Sequence, residues 1–179
     1  MPKLRKMLGD VNSAECIALM RLIETQNERT LAAWAVGYAK DNFLGIYENE
    51  CPGNVCLRDT VLACEEYLKG NGKLCEIKPV IKEAGQLARD LADNPTAQAA
   101  ARAVSTACAS VHTPTSALGF LFYGAAAAAY SQAGLEQGAE VYDKIASKEL
   151  EKAVDSLKQV CVPDEVHPVK VKWLSLIHI

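Results

Sequence analysis

Apolar positions recur at three-to-four-residue spacing along most of the chain, and turn residues break the pattern at short intervals. That period puts apolar side chains on one face of a helix. Asn12 or Ser13 is placed to cap a first helix, with Ile17, Met20 and Leu22 or Ile23 facing inward. Leu31, Trp34, Tyr38 and Ile46, with Ala35 and Ala39 beside them, predict a second helix from about Glu28 to Tyr47. Pro52-Gly53-Asn54 is turn chemistry. A third helix follows from about Leu57 to Leu68 and stops at Gly70 to Gly72, where glycine suits a left-handed cap. The stripe Ile77, Val80, Ile81, Ala84, Leu87, Ala88 and Leu91 predicts a fourth, with Pro79 in its first turn.

Asp93 or Asn94 caps a fifth helix whose first turn holds Pro95, and Thr113 and Pro114 repeat the arrangement for a sixth that ends at Gly134. A seventh, about Leu135 to Val160, carries Tyr142, Ile145, Leu150, Ala153, Leu157 and Val160 on one face. In the tail, Val169, Val171 and Trp173 alternate, which predicts an extended segment packed down on the rest. About seven helices with short connections read as an all-α, antiparallel multi-helix bundle. No linker or shift in composition divides the chain, so residues 1–179 are expected to form a single domain.

Between Arg102 and Glu136 there is no Asp, Glu, Lys or Arg, and Ala125 to Ala129 run in a row. The preceding helix is alanine-rich as well. Small side chains let two helix backbones approach closely, which predicts an alanine-rich central pair. Pro114, glycines, serines, threonines and His112 break the run, so it reads as a buried helix and not a membrane span.

Composition supports this picture. Half of the 179 residues are hydrophobic but only 6% are aromatic, and alanine supplies much of the difference. Alanine is the best helix former, whereas strands favour β-branched and aromatic residues. The net charge of −3 carries no nucleic-acid footprint, which needs a strong basic excess. Seven cysteines at scattered positions, and a charged start without a following apolar run, suggest a reducing compartment and a cytosolic protein.

No cofactor, metal or catalytic motif is legible. Cys51 and Cys56 are too far apart for a usual zinc pair, and a disulfide across their turn is conceivable but not expected in the cytosol. The seven thiols read as small buried hydrophobes. His112, just before a helix start, has the pKa range of a general base but no neighbouring nucleophile. Its simpler reading is a structural residue, hydrogen-bonded to backbone or to a buried polar group. Asp59 suits the positive end of the third helix, and Arg58 is placed to pair with Asp41 or Glu48. Acidic residues cluster at Glu48/Glu50, Glu65/Glu66, Asp90/Asp93 and Glu136/Glu140/Asp143. If they converge, they form a surface able to steer a basic partner.

Three stretches together resemble a known family: RTLAAWAVGYAKDNF (29–43), CPGNVCLRDTVLACEEYLKG (51–70) and AAARAVSTACASVHTPTSALGFLFYGAAAA (99–128). Trp34-Ala35, Pro52, Arg58, Ala63, Gly70, Ala101-Arg102-Ala103, His112, Ala117-Leu118-Gly119 and Tyr123 fit the all-helical immunity-protein family of bacterial toxin systems. The chain departs from the pattern at Asn54 and Cys56-Leu57, where the family tends to have an acidic residue and Arg-Pro. The resemblance implies a cytosolic protein that binds and neutralises a cognate protein toxin without catalysis. It also marks Trp34, Arg58, Arg102, His112 and Tyr123 as candidate positions, to which the residue chemistry adds Asp41 and Asp59.

Two other readings stay open. One is an enzyme or small-ligand binder whose pocket lies among the second, fifth and sixth helices, with His112, Tyr123, Trp34 and Arg58 as polar groups. The other is a scaffold that self-assembles through flat alanine surfaces. Neither nucleic acid nor a membrane is expected as a partner.

Overall fold

The first helix starts where Ser13 accepts the Cys16 N–H at 3.2 Å, and α1 runs over Ala14–Ile23. Asn27 does the same for Thr30 at 2.9 Å and opens α2 (Glu28–Asn42). α3 (Leu44–Glu50) follows at once, and α4 (Cys56–Leu68) and α5 (Leu74–Arg89) come after the two turns. Asn94 accepts the Ala97 N–H, Pro95 occupies the first turn, and α6 (Pro95–Ala109) begins. α7 (Ser116–Ala133) and α8 (Ala139–Val160) complete the order. The structure is a computed structural model that describes residues 3–173; among these it is all-helical and has no strand.

Among the described residues the helices number eight, because the expected second helix bends at Phe43 into α2 and α3. No proline sits at the bend, and Gly45 follows it in the first turn of α3. Phe43 is fully buried, and its ring packs edge-on against Tyr38 at 5.6 Å and Phe120 at 6.3 Å between centroids. A Cβ built on Gly124 of α7 would overlap that ring, so glycine is what lets α7 pass under it. Trp34 joins the same cluster, 5.5 Å from Phe120. Each such aromatic contributes far more buried area than an alanine does.

α6 and α7 share the most extensive helix–helix contact in the fold. Ala97, Ala100, Ala101, Ala103 and Ala107 of α6 and Ala125, Ala126, Ala127 and Ala129 of α7 are all inaccessible to solvent. Twelve of the 18 residues of α7 are buried, as an apolar helix without a polar face requires. These alanine surfaces lie inside the fold and are therefore not the exposed surfaces that self-assembly would use. One core cluster takes residues from all eight helices.

Several local expectations need correction. Ile17 is 46% exposed, and the inward stripe of α1 is Cys16, Leu19 and Ile23. α5 starts at Leu74, which puts Pro79 inside the helix. The proline is tolerated because it and Cys75, whose carbonyl it leaves without a donor, are both exposed. α7 begins at Ser116: the Thr113 hydroxyl meets the His112 ring instead of capping. α8 begins at Ala139, because the Tyr142 hydroxyl ties down the preceding turn at Gly134 O (2.6 Å) and Gln137 N (3.1 Å). The end of α4 is as expected. Gly70 has φ +94, its N–H reaches Tyr67 O at 2.9 Å, and the Asn71 N–H reaches Glu66 O at 3.0 Å.

The tail does pack down. Val169, Val171 and Trp173 are half-buried while Lys170 and Lys172 are exposed. The Val169 N–H donates to Gln26 O at 2.8 Å, and the Trp173 indole donates to Glu24 at 2.6 Å. Glu165 accepts from the Asn27 N–H at 2.5 Å and the Thr30 hydroxyl at 2.7 Å, adding a carboxylate to the N-terminal end of α2.

Candidate functional site

α2 and α8 face each other along a polar seam. Trp34, Tyr38 and Asn42 stand one turn apart on α2, so they line up on one face. The Trp34 indole donates to Ser156 Oγ at 3.0 Å, and the Tyr38 hydroxyl donates to Glu149 at 2.9 Å. Lys152 donates to Asn42, and its ammonium sits 6.0 Å from the centre of the Tyr38 ring. A groove of about 330 Å³ opens beside the seam and is lined by Trp34, Asp41 and Lys152 among others. Burial, and then the Glu149 carboxylate, push the Tyr38 phenol far above its ordinary range, so it stays protonated. Ser156 meets an indole, which is a donor and not a base. The seam is a set of closed polar partnerships.

Arg58 finds one of its two expected partners. Its Nε and Nη2 hold Glu48 in a two-pronged bond at 2.8 and 2.6 Å, and Asp41 takes no part. This bond holds the Glu48 carboxyl below its usual range. Asp59 lies exposed in the first turn of α4. Other acidic residues of the expected clusters are likewise paired: Glu65 with Lys40 at 3.0 Å, Glu66 with Lys69 at 3.3 Å, and Asp143 with Arg5. The basic-partner surface read from those clusters is therefore partly neutralised.

His112 is exposed in the α6–α7 turn, its Nδ1 2.9 Å from the Thr113 hydroxyl. Its partner is an adjacent side chain, neither backbone nor a buried group. The Arg102 guanidinium lies 5.9 Å from the centre of the Tyr123 ring. The groove beside α2 and α8 takes Trp34 and Asp41, and a separate cavity takes Arg102; His112, Arg58 and Tyr123 line neither. The expected meeting of His112 with Arg58 or Asp41 does not occur in either space.

Buried Cys64 and Cys108 meet between α4 and α6; their mutual hydrogen bond, with burial, holds the Cys108 thiol above its ordinary range. Cys16 is buried too, but Cys75 is exposed and Cys51, Cys56 and Cys161 are only half-buried, so the thiols are not uniformly interior. Among the described residues no group of three or more His, Cys, Asp or Glu is placed to hold a metal ion. No helix among them is long and apolar enough to cross a membrane.

Glu149, Lys152 and Ser156 were not among the residues expected at a site. For Glu149 the signal was present. With Tyr142, Ala146 and Ala153 it falls at the spacing i, i+4, i+7, i+11, on the buried side of α8.

The family model described as "Imm-5 like putative immunity protein" matches residues 21–158. The chain belongs to this family. The matched span of the immunity-protein family holds both sides of the α2–α8 seam, the Arg58–Glu48 pair and the Arg102–Tyr123 pair. It leaves out the amino-terminal segment, most of α1 and the tail that caps α2. No curated protein and no solved structure matches the chain.

Proposed function

We propose that this immunity-family protein binds a cognate bacterial protein toxin in the cytoplasm and neutralises it by occlusion, without catalysis. The observation that carries this reading is the family match over residues 21–158. The chemistry of the seam agrees with it. Tyr38, Glu149, Trp34 and Ser156 are engaged with one another, and none is poised as a nucleophile beside a base. A rigid helical body of this kind suits an inhibitor, because a preordered surface loses little entropy on binding.

The test is co-expression with the toxin encoded beside this gene. The expected outcome is restored growth and a stoichiometric complex of the two chains on size-exclusion chromatography. Growth arrest with no complex between the purified chains would overturn the reading.

A further inference from the structure

A cavity of about 680 Å³ lies between the amino-terminal segment, the end of α5 and one face of α6. Its charged lining is Lys3, Arg5, Lys6, Arg89 and Arg102, with no acidic residue among its walls. The chain as a whole is acidic, at −3, so this gathering of one sign runs against its balance. Asp90 and Asp93 occupy the adjoining α5–α6 turn but do not line the cavity, and Glu136 lines the smaller space that continues from it past Lys3, Arg5 and Tyr130. Like charges brought together repel, so a site that keeps them is expected to use them.

Two of the cations are oriented by neutral groups. Arg89 donates through Nε and Nη2 to the Gln86 side-chain oxygen at 3.2 and 3.0 Å. Arg102 lies over the Tyr123 ring. Both contacts fix a guanidinium without cancelling its charge. Of the five, only Arg5 has a carboxylate partner among the described residues, Asp143. Pro95, Gln98, Ala99 and Arg102 follow the i, i+3, i+4, i+7 spacing, so one continuous face of α6 forms the wall. The amino-terminal segment is held over the cavity by the Tyr130 hydroxyl, which donates to Arg5 O, and by the Leu8 N–H, which donates to Phe122 O at 3.0 Å. Leu4, Pro95 and Leu135 give the walls an apolar part.

We propose that this cleft binds a small organic polyanion, a phosphate-bearing molecule of nucleotide size. The volume falls within the range of about 300–1,000 Å³ usual for small-molecule sites. Guanidinium forks match phosphate oxygens two at a time, and the apolar walls suit an organic body. Lys3, Arg5 and Lys6 lie outside the span matched by the family model, whereas Arg89 and Arg102 lie inside it. The site is independent of the toxin reading.

The test is calorimetric titration of the full chain at low salt with ATP, tripolyphosphate and adenosine as probes. ATP is expected to bind one per chain, tripolyphosphate more weakly and adenosine not detectably. Arg102→Gln and Arg89→Gln are each expected to weaken ATP binding about tenfold, and Lys6→Ala, at an exposed site, less. Thermal melts of the variants confirm that each is folded. ATP affinity unchanged in both arginine variants, or no ATP binding at millimolar concentration, would overturn the proposal. Tripolyphosphate binding as tightly as ATP would overturn the organic assignment. If no probe binds but both arginine variants lose the toxin complex, the cleft is a protein contact and the proposal fails.

Discussion

Phe43 and Gly124 fit each other so closely that a Cβ on the glycine would fall within the phenylalanine ring. Phe43 is inaccessible to solvent and ends α2, while Gly124 lies in the middle of α7. Gly124→Ala is therefore expected to destabilise the fold by about 3 kcal/mol, the upper end for overpacking a core. Phe43→Leu should recover part of that loss in the double variant. Urea melts of the two single variants and the double variant give the coupling energy.

Tyr38 and Tyr47 make opposite predictions for the same substitution. The Tyr38 hydroxyl serves a buried carboxylate, whereas the Tyr47 hydroxyl is buried beside the Cys51 and Cys56 thiols with no nitrogen or oxygen partner among the described residues. Tyr38→Phe leaves Glu149 without its donor and is expected to cost about 1–3 kcal/mol. Tyr47→Phe removes an unsatisfied group and should change stability by less than about 0.5 kcal/mol, or raise it. Denaturant midpoints at neutral pH distinguish the two.

The same two phenols contribute to the alkaline limb, beside Tyr130 and the Cys16 and Cys161 thiols, which burial also pushes up, and the Cys108 thiol, raised by its Cys64 hydrogen bond and by burial. Burial first, and then the nearby Cys51 and Cys56 thiols, push Tyr47 from its ordinary 10.0 up to about 12; Tyr38 moves in the same direction. The folded state holds these protons after the unfolded chain has released them. Their contribution is thus complete below pH 10 and is lost as pH rises, for Tyr47 through about 12. Stability should fall by up to about 1.4 kcal/mol per pH unit for each group in that window. Tyr47→Phe should flatten the slope, as read from urea midpoints between neutral and strongly alkaline pH.

Glu165 sits far along the chain from the helix end it caps. Its carboxylate takes the Asn27 N–H and the Thr30 hydroxyl. Glu165→Ala is expected to cost about 1 kcal/mol, as loss of a helix cap does. Amide hydrogen exchange should quicken first at Asn27 and at Val169, the two ends of this fastening.

The features written in adjacent residues were legible. Ser13, Asn94-Pro95 and Gly70 announce their caps locally, and the 3.6-residue period reports most helices. The bend at Phe43 was not legible, because the apolar spacing runs on through it and the ring's close neighbour, Gly124, lies on another helix. Ile17 misled because one apolar residue on a short helix fits either stripe until the neighbours are known. The cation-lined cleft was invisible because Lys3, Lys6, Arg89 and Arg102 come from three separated segments. The candidates drawn from the resemblance are present, yet they fall into separate pairs: Trp34 with Ser156, Arg58 with Glu48, and Arg102 with Tyr123. Chain order says little about such partners when they lie on different helices.

The most direct check on the central claim is a titration of purified toxin with this protein, following the toxin's own activity. Occlusion predicts that activity falls linearly, vanishes at one equivalent and does not change further with time. Complete loss at a small fraction of an equivalent, deepening as incubation lengthens, would instead mean that the protein turns over and would contradict the account.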